Sequence, residues 1–309
     1  MDFIEILSFG FIQRGLIAGI AVAIACSSIG LFLVLRRQSL FGDSLAHMAF
    51  GGIAIGMFSN VYPLWTAFVV SILAALGMTK VRQSTKMSPD SAVAIMLSSG
   101  LAVGVVLVSL SGGFSVDLFS FLFGNILLVS LEDTLLIVIA SAVVITVILL
   151  LHKKFLYITF DEEQAKVSGL DVSKLNYLFI VIASVTVIAS MRLVGILLIS
   201  SLIVIPNITA IIFGRGFKVT AFISASIAVF SVLFGIIISY IINIAPSGTV
   251  VLTCVGIFLV TLFARYLARL GIWEKKQKII RMFFSLSYGY SSGINQKIYV
   301  HIKNFGRRK

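Results

Sequence analysis

Asp43 and His47 stand four positions apart in the stretch GDSLAHMAFGGIAIGMF, residues 42–58. On a helix that spacing puts both on one face. Ionisable groups inside a bilayer cost several kcal/mol, so they are kept toward a bundle interior or a polar cavity. A carboxylate and an imidazole offer one oxygen and one nitrogen donor. That pair suits first-row divalent ions such as zinc and manganese, and two donors from each of two subunits would complete a four-ligand cage. A plainer arrangement fits the spacing equally well: Asp43 as a first-turn acid favoured by the helix dipole, His47 as a hydrogen-bonded packing residue. Around the pair, Gly42, Ala46, Ala49, Gly52 and Gly56 form a stripe of small residues that lets helices approach closely, so this helix belongs at the centre of a bundle.

A second group lies in HKKFLYITFDEEQAKVSGLDVSK, which begins at His152 and holds Asp161, Glu162, Glu163 and Asp171 beside several lysines. A short helix over about 161–168 ended by Gly169 is expected, since glycine takes the left-handed conformation at little cost. The segment reads as a docking element for a cytosolic partner or as a solvated loop, and its residues alone lean to the loop. A third group surrounds Pro206. Proline cannot donate to the carbonyl of Leu202, so a kink is expected there, with Ser200, Ser201, Asn207 and Thr209 available to satisfy freed groups. Such a break can line a pathway or serve packing alone. His152 and His301 have no carboxylate partner nearby in sequence and read as interface or solvent histidines.

The elements that hold these residues are apolar helices. Of 309 residues 59% are hydrophobic and 12% charged, with a mean hydropathy of +1.12, more apolar surface than a water-soluble fold can cover. Several runs reach the roughly 20 residues a helix needs to cross the hydrocarbon layer. The expected fold is therefore all-α, a polytopic transmembrane bundle. Spans are placed at about 14–35, 40–59, 61–79, 90–111, 132–151, 173–191, 193–213, 219–242 and 249–270, about nine in all. Segment 114–131 is apolar but squeezed between Gly112-Gly113 and Glu132-Asp133, and reads as a short re-entrant or interfacial helix. Ser88-Pro89-Asp90 reads as a helix start: a cap, a proline at the first position and an acid in the first turn.

The net charge of +12 points to a membrane surface rather than nucleic acid, because Lys and Arg lie in short loops and in the tail. Placing the loop 152–172 inside the cell puts Arg36, Arg37, Lys80, Arg82, Lys86, Lys153, Lys154, Lys166, Lys174, Arg215 and Lys218 all on the cytoplasmic side, leaving Arg14 and Arg192 outside. The N-terminus is then external and the C-terminus cytoplasmic. Residues 1–273 form the expected membrane domain, with a cytoplasmic segment at 157–172, and 274–309 a basic cytoplasmic tail drawn to anionic lipid. Cys26 and Cys254 fall in apolar runs and read as packing residues rather than a disulfide. No G-x-x-x-x-G-K-[ST], H-E-x-x-H or G-x-S-x-G motif occurs, which argues against ATP binding by this chain and against an enzyme.

Four stretches in order resemble one family: LRRQSLFGDSLAHMAFGGIAIG at 35–56, FDEEQAKVSGL at 160–170, VGILLISSLIVIPNITA at 194–210 and APSGTVVL at 245–252. The chain is similar to permease subunits of zinc and manganese importers of the ATP-binding-cassette class. The resemblance implies a permease homodimer in the plasma membrane, cytosolic ATP-binding subunits beneath it and an extracellular solute-binding protein that delivers metal. It implies no resident cofactor, only the transported Zn2+ or Mn2+. It gives Asp43 and His47 the role of metal-coordinating gate residues, and it assigns ATPase contact to the segment from Asp161 to Gly169, through Glu162, Glu163 and Ala165. Glu162 stands where the family's pattern often has proline. The resemblance does not extend to the tail after about 274. Competing expectations are an iron-chelate or cobalamin importer permease, a secondary transporter using the pair as a proton or ion relay, and a membrane scaffold without transport.

Overall fold

The computed structural model describes residues 10–111, 121–124, 130–196 and 199–288, and among them every regular element is a helix. Ten helices follow in order: α1 Gly10–Leu35, α2 Phe41–Phe58, α3 Pro63–Thr85, α4 Pro89–Leu110, α5 Leu131–Phe160, α6 Glu162–Val167, α7 Val172–Val194, α8 Ile199–Ile212, α9 Phe217–Ile242 and α10 Pro246–Tyr288. Each of the nine expected spans coincides with one of them. Seven are long and apolar enough to cross a bilayer. Of the other two, α2 has 18 residues and carries Asp43 and His47, and α8 has only 14 residues. The expected re-entrant segment at 114–131 lies largely outside the described residues, as does His301.

Helix boundaries follow local chemistry. Ser88 caps α4 by accepting from the Ser91 N–H, with Pro89 at the first helical position as expected. Ser130 and Asp133 form a reciprocal capping box at the start of α5. That helix runs nine residues past the expected end at 151, because nothing from His152 to Phe160 stops a helix until Asp161 turns extended and caps α6 instead.

Two compact units are distinguished, 1–259 and 260–309. The division falls inside α10, ahead of the expected boundary at 273, and α10 continues to Tyr288. The second unit is helical from 260 to 288, and residues 289–309 are outside the described set.

Within the first unit α1 is the central pillar, with 67% of its spanning window buried against 28% for α3, α4 and α5. Large apolar side chains on the outer helices remain open, Leu73, Leu150 and Phe222 among them. In water so extensive an apolar surface would drive association, whereas in a bilayer the acyl chains cover it. The helix α2 sits inside this ring and buries eleven of its residues, including Gly42, Ala46, Ala49, Gly52 and Gly56. A Cβ on Gly52 would lie 2.7 Å from the Cα of Ala67, and one on Gly51 2.9 Å from the carbonyl oxygen of Gly100. The small-residue stripe thus lets α3 and α4 touch α2 backbone to backbone.

Candidate functional site

Asp43 and His47 are among the partly exposed positions of the otherwise largely buried α2. Their side chains are 24% and 13% exposed, and His47 Nε2 lies 3.9 Å from Asp43 Oδ1. That is too long for a hydrogen bond. Two donors on one ion with bonds of about 2.0–2.2 Å sit about 3.3 Å apart in a tetrahedron. The observed gap exceeds this by about half an ångström, which a small side-chain rotation removes. His47 Nδ1 is buried with no hydrogen-bond partner. A buried polar atom left this way costs about 1–3 kcal/mol, and in a native protein it asks for an explanation in function or in a missing neighbour. The backbone at this point is held from behind, since a Cβ on Gly100 of α4 would lie 2.5 Å from the His47 carbonyl oxygen.

No group of three or more His, Cys, Asp or Glu side chains gathers among the described residues. Among the described residues, one chain therefore brings two such side-chain donors to this place, one oxygen and one nitrogen.

The acidic segment after α5 forms α6, one residue shorter at each end than expected. Asp161 caps it by accepting from the Gln164 N–H at 2.9 Å, Glu162 pairs with Lys166 at 3.2 Å, and Gly169 follows the helix with φ +82°. Glu162 takes the first helical position comfortably because a negative charge there faces the positive end of the dipole. Ala165 is fully buried and packs with Ile158 and Val172. The opposite face is open: Glu163 is exposed and Val167 is 88% exposed although α6 is outside every candidate span. The next acid, Asp171, caps α7, and hydrogen bonds from the side chain and backbone of Lys174 hold its carboxyl below the usual range.

Pro206 sits inside α8, where Asn207 is fully buried. Asn207 Nδ2 donates to the carbonyl of Ile203 at 2.7 Å, and its Oδ1 accepts from Ser224 of α9 at 2.7 Å. Gly30 of α1 lies against the same turn, its absent Cβ leaving room for the Ile203 carbonyl. Thr209 bonds back to Ile205. These side chains serve the carbonyls of 203 and 205 and the joints between α1, α8 and α9, and Ser200 and Ser201 are half-buried nearby in sequence. Asp43 and His47 come together as a pair. The Pro206 group borders them, since Ile203, which accepts from Asn207, lies against Gly42 beside Asp43.

Two of the basic residues expected on the cytoplasmic side, Arg36 and Arg82, meet at one place in the bundle. A cavity of about 240 Å3 is lined there by Arg36, Gln38, Thr79, Arg82, Glu162 and Asn176, among others, from six different elements. Sequence reasoning took Arg36 only as a topology charge. Its Nε donates to Thr159 Oγ1 and its Nη1 to Asn176 Oδ1, both at 3.0 Å. Nothing in one sequence separates such an arginine from its exposed neighbour Arg37. His152, expected at an interface, hydrogen-bonds the Leu149 carbonyl on its own helix.

Comparison with known proteins places this architecture. The sequence matches the ABC 3 transport family over residues 8–265. It is 31% identical over 261 residues to the manganese transport system membrane protein MntC of Halalkalibacterium halodurans, covering 84% of this chain and 89% of that one. It is 30% identical over 257 residues to the high-affinity zinc uptake system membrane protein ZnuB of Haemophilus influenzae, covering 83% and 98%. Among solved structures, PsaBC from Streptococcus pneumoniae in complex with Fab superposes with a TM-score of 0.76 at 32% identity, over 84% of this chain and 94% of that one. With a match across most of its length and a shared helical bundle, the chain is a membrane protein of the ABC 3 transport family.

Proposed function

We propose that this chain is the permease subunit of an ATP-driven importer of a divalent transition metal, zinc or manganese, and that Asp43 and His47 hold the ion in transit. The observation that carries this reading is the pair itself: one oxygen and one nitrogen donor, 3.9 Å apart, half-buried on a central helix of a bundle. Relatives named for manganese and for zinc transport support the cargo class. Both ions accept this donor set, so the donors do not choose between them. Two donors underfill a four-coordinate ion, and a second copy of the chain facing the first would supply the other two.

ATP hydrolysis resides in separate subunits, which dock on α6 from the cytoplasm. The open face of α6, with Val167 exposed among charges outside the membrane, supports that assignment. An extracellular solute-binding protein delivers the ion. ATP binding and hydrolysis in those subunits move α6, and the two copies rock so that the cage opens to one side at a time. The N-terminus is outside and the C-terminus inside, since the basic loop ends then share the cytoplasmic face.

Cells carrying Asp43→Ala or His47→Ala, with the protein present in the membrane at normal level, are expected to lose uptake of manganese and zinc. Unchanged uptake in either variant removes the pair from the mechanism. Uptake that continues without any ATPase subunit would favour a secondary transporter instead.

A further inference from the structure

Arg36 follows the last residue of α1 and begins the turn that leads into α2. Its guanidinium reaches across the bundle to Thr159, two residues before the cap of α6, and to Asn176 on α7. Its Cζ lies 4.4 Å from the Phe179 ring centroid, a cation–π contact. Beneath it Phe32, Phe155 and Phe179 meet edge to face at 5.6–6.3 Å, which ties α1, α5 and α7 together. Burial pushes the Arg36 guanidinium down to about 10, with the charge of Glu162 opposing the fall, so the group stays cationic at neutral pH.

On the other side, the turn from Arg36 to Leu40 is short and hydrogen-bonded. Gln38 N–H donates to Leu33, Phe41 N–H donates to Gln38, and Arg37 takes a left-handed φ of 56°. A turn so constrained passes displacement of the end of α1 to the start of α2, where Asp43 lies. The third nitrogen of Arg36, Nη2, is buried and hydrogen-bonded to nothing, and the residue lines the cavity of about 240 Å3 shared by the α1–α2 turn with α2, α3, α5, α6 and α7. Elsewhere α2 is packed backbone to backbone. Here there is room for two arrangements of the same joint.

We propose that Arg36 is a positioning residue that couples movement of the docking helix α6 to Asp43 and His47. The proposal rests on the importer reading above. It predicts that breaking the clasp separates hydrolysis from transport rather than stopping both.

The test is the complex of this chain with its ATPase subunit in liposomes, with manganese or zinc uptake and ATP hydrolysis measured together. In Arg36→Gln the metal moved per ATP should fall roughly five- to tenfold, the size of a typical coupling free energy between two sites. Thr159→Val and Asn176→Leu each remove one arm and should lower the ratio by less. Arg36→Lys keeps the charge over Phe179 but cannot reach both acceptors, and should rescue only in part. A purely architectural role would lower the number of working complexes and leave the ratio unchanged; that result overturns the proposal. If Arg36→Gln fails to assemble, the two acceptor variants decide, and a normal ratio in both overturns it. A wild-type complex that moves neither metal would sink the importer reading and this proposal with it, whereas normal coupling in wild type with an unchanged ratio in the variants sinks the proposal alone.

Discussion

At the scale of single residues, the donors depend on atoms that never touch an ion. Gly100 brings α4 against the backbone of α2 at the His47 carbonyl, where a methyl group would lie 2.5 Å from oxygen and 2.7 Å from the Met48 nitrogen. Backbone cannot yield as a flexible side chain does. Gly100→Ala is therefore expected to cost about 1–3 kcal/mol, seen as a lower thermal unfolding temperature in detergent, and to reduce metal uptake by tilting His47. Gly77, which meets nothing within 4 Å, is the control: Gly77→Ala should lower neither. Asn207 offers a second test. Its buried amide satisfies the Ile203 carbonyl and the Ser224 hydroxyl. Asn207→Leu leaves both without that partner and is expected to destabilise by about 1–3 kcal/mol for each buried group stranded.

At the scale of elements, α6 is too short to persist alone, because a helix of six residues cannot repay its nucleation cost. It is held by its Asp161 cap, by Ala165 against Ile158 and Val172, and by the Tyr157 hydroxyl on Ser168 Oγ at 2.8 Å. Asp161→Ala removes a cap worth about 1 kcal/mol. The helix should fray while the bundle stays intact, so co-purification of the ATPase subunit is expected to fall with the unfolding temperature unchanged. A matching drop in unfolding temperature would mean α6 belongs to the core.

At the scale of the whole molecule, the two-donor count makes a prediction about copies. If each transport cage draws on two chains, co-expressing His47→Ala with wild type in equal amounts leaves only about a quarter of symmetric pairs intact. Uptake should fall to about that fraction. A fall to one half would mean that each chain works alone.

Much of this was legible before any coordinates. The Ser88-Pro89-Asp90 start of α4, the short helix between Asp161 and Gly169 and the small-residue character of α2 follow from capping, left-handed glycine and close helix approach, all local rules. Each of the nine apolar runs falls on a helix, because lipid leaves the backbone no alternative partner, and seven of these helices are long and apolar enough to cross a bilayer. Local rules also failed where they had no stop signal to read. The continuation of α5 to Phe160 and of α10 to Tyr288 crosses charged stretches that can be helix as readily as loop.

The sequence by itself determined that the chain spans a membrane, where its basic residues concentrate, and that Asp43 and His47 share one helical face. Periodicity and hydropathy are properties of consecutive residues, so they survive without a fold. Only tertiary structure decided that α1 is the most enclosed long span, that Asn207 is consumed by Ile203 and Ser224, and that Arg36 grips Thr159 and Asn176 across 123 and 140 positions of chain. Contacts between distant segments depend on how helices pack, and packing is set by the whole set of surfaces at once rather than by any one of them.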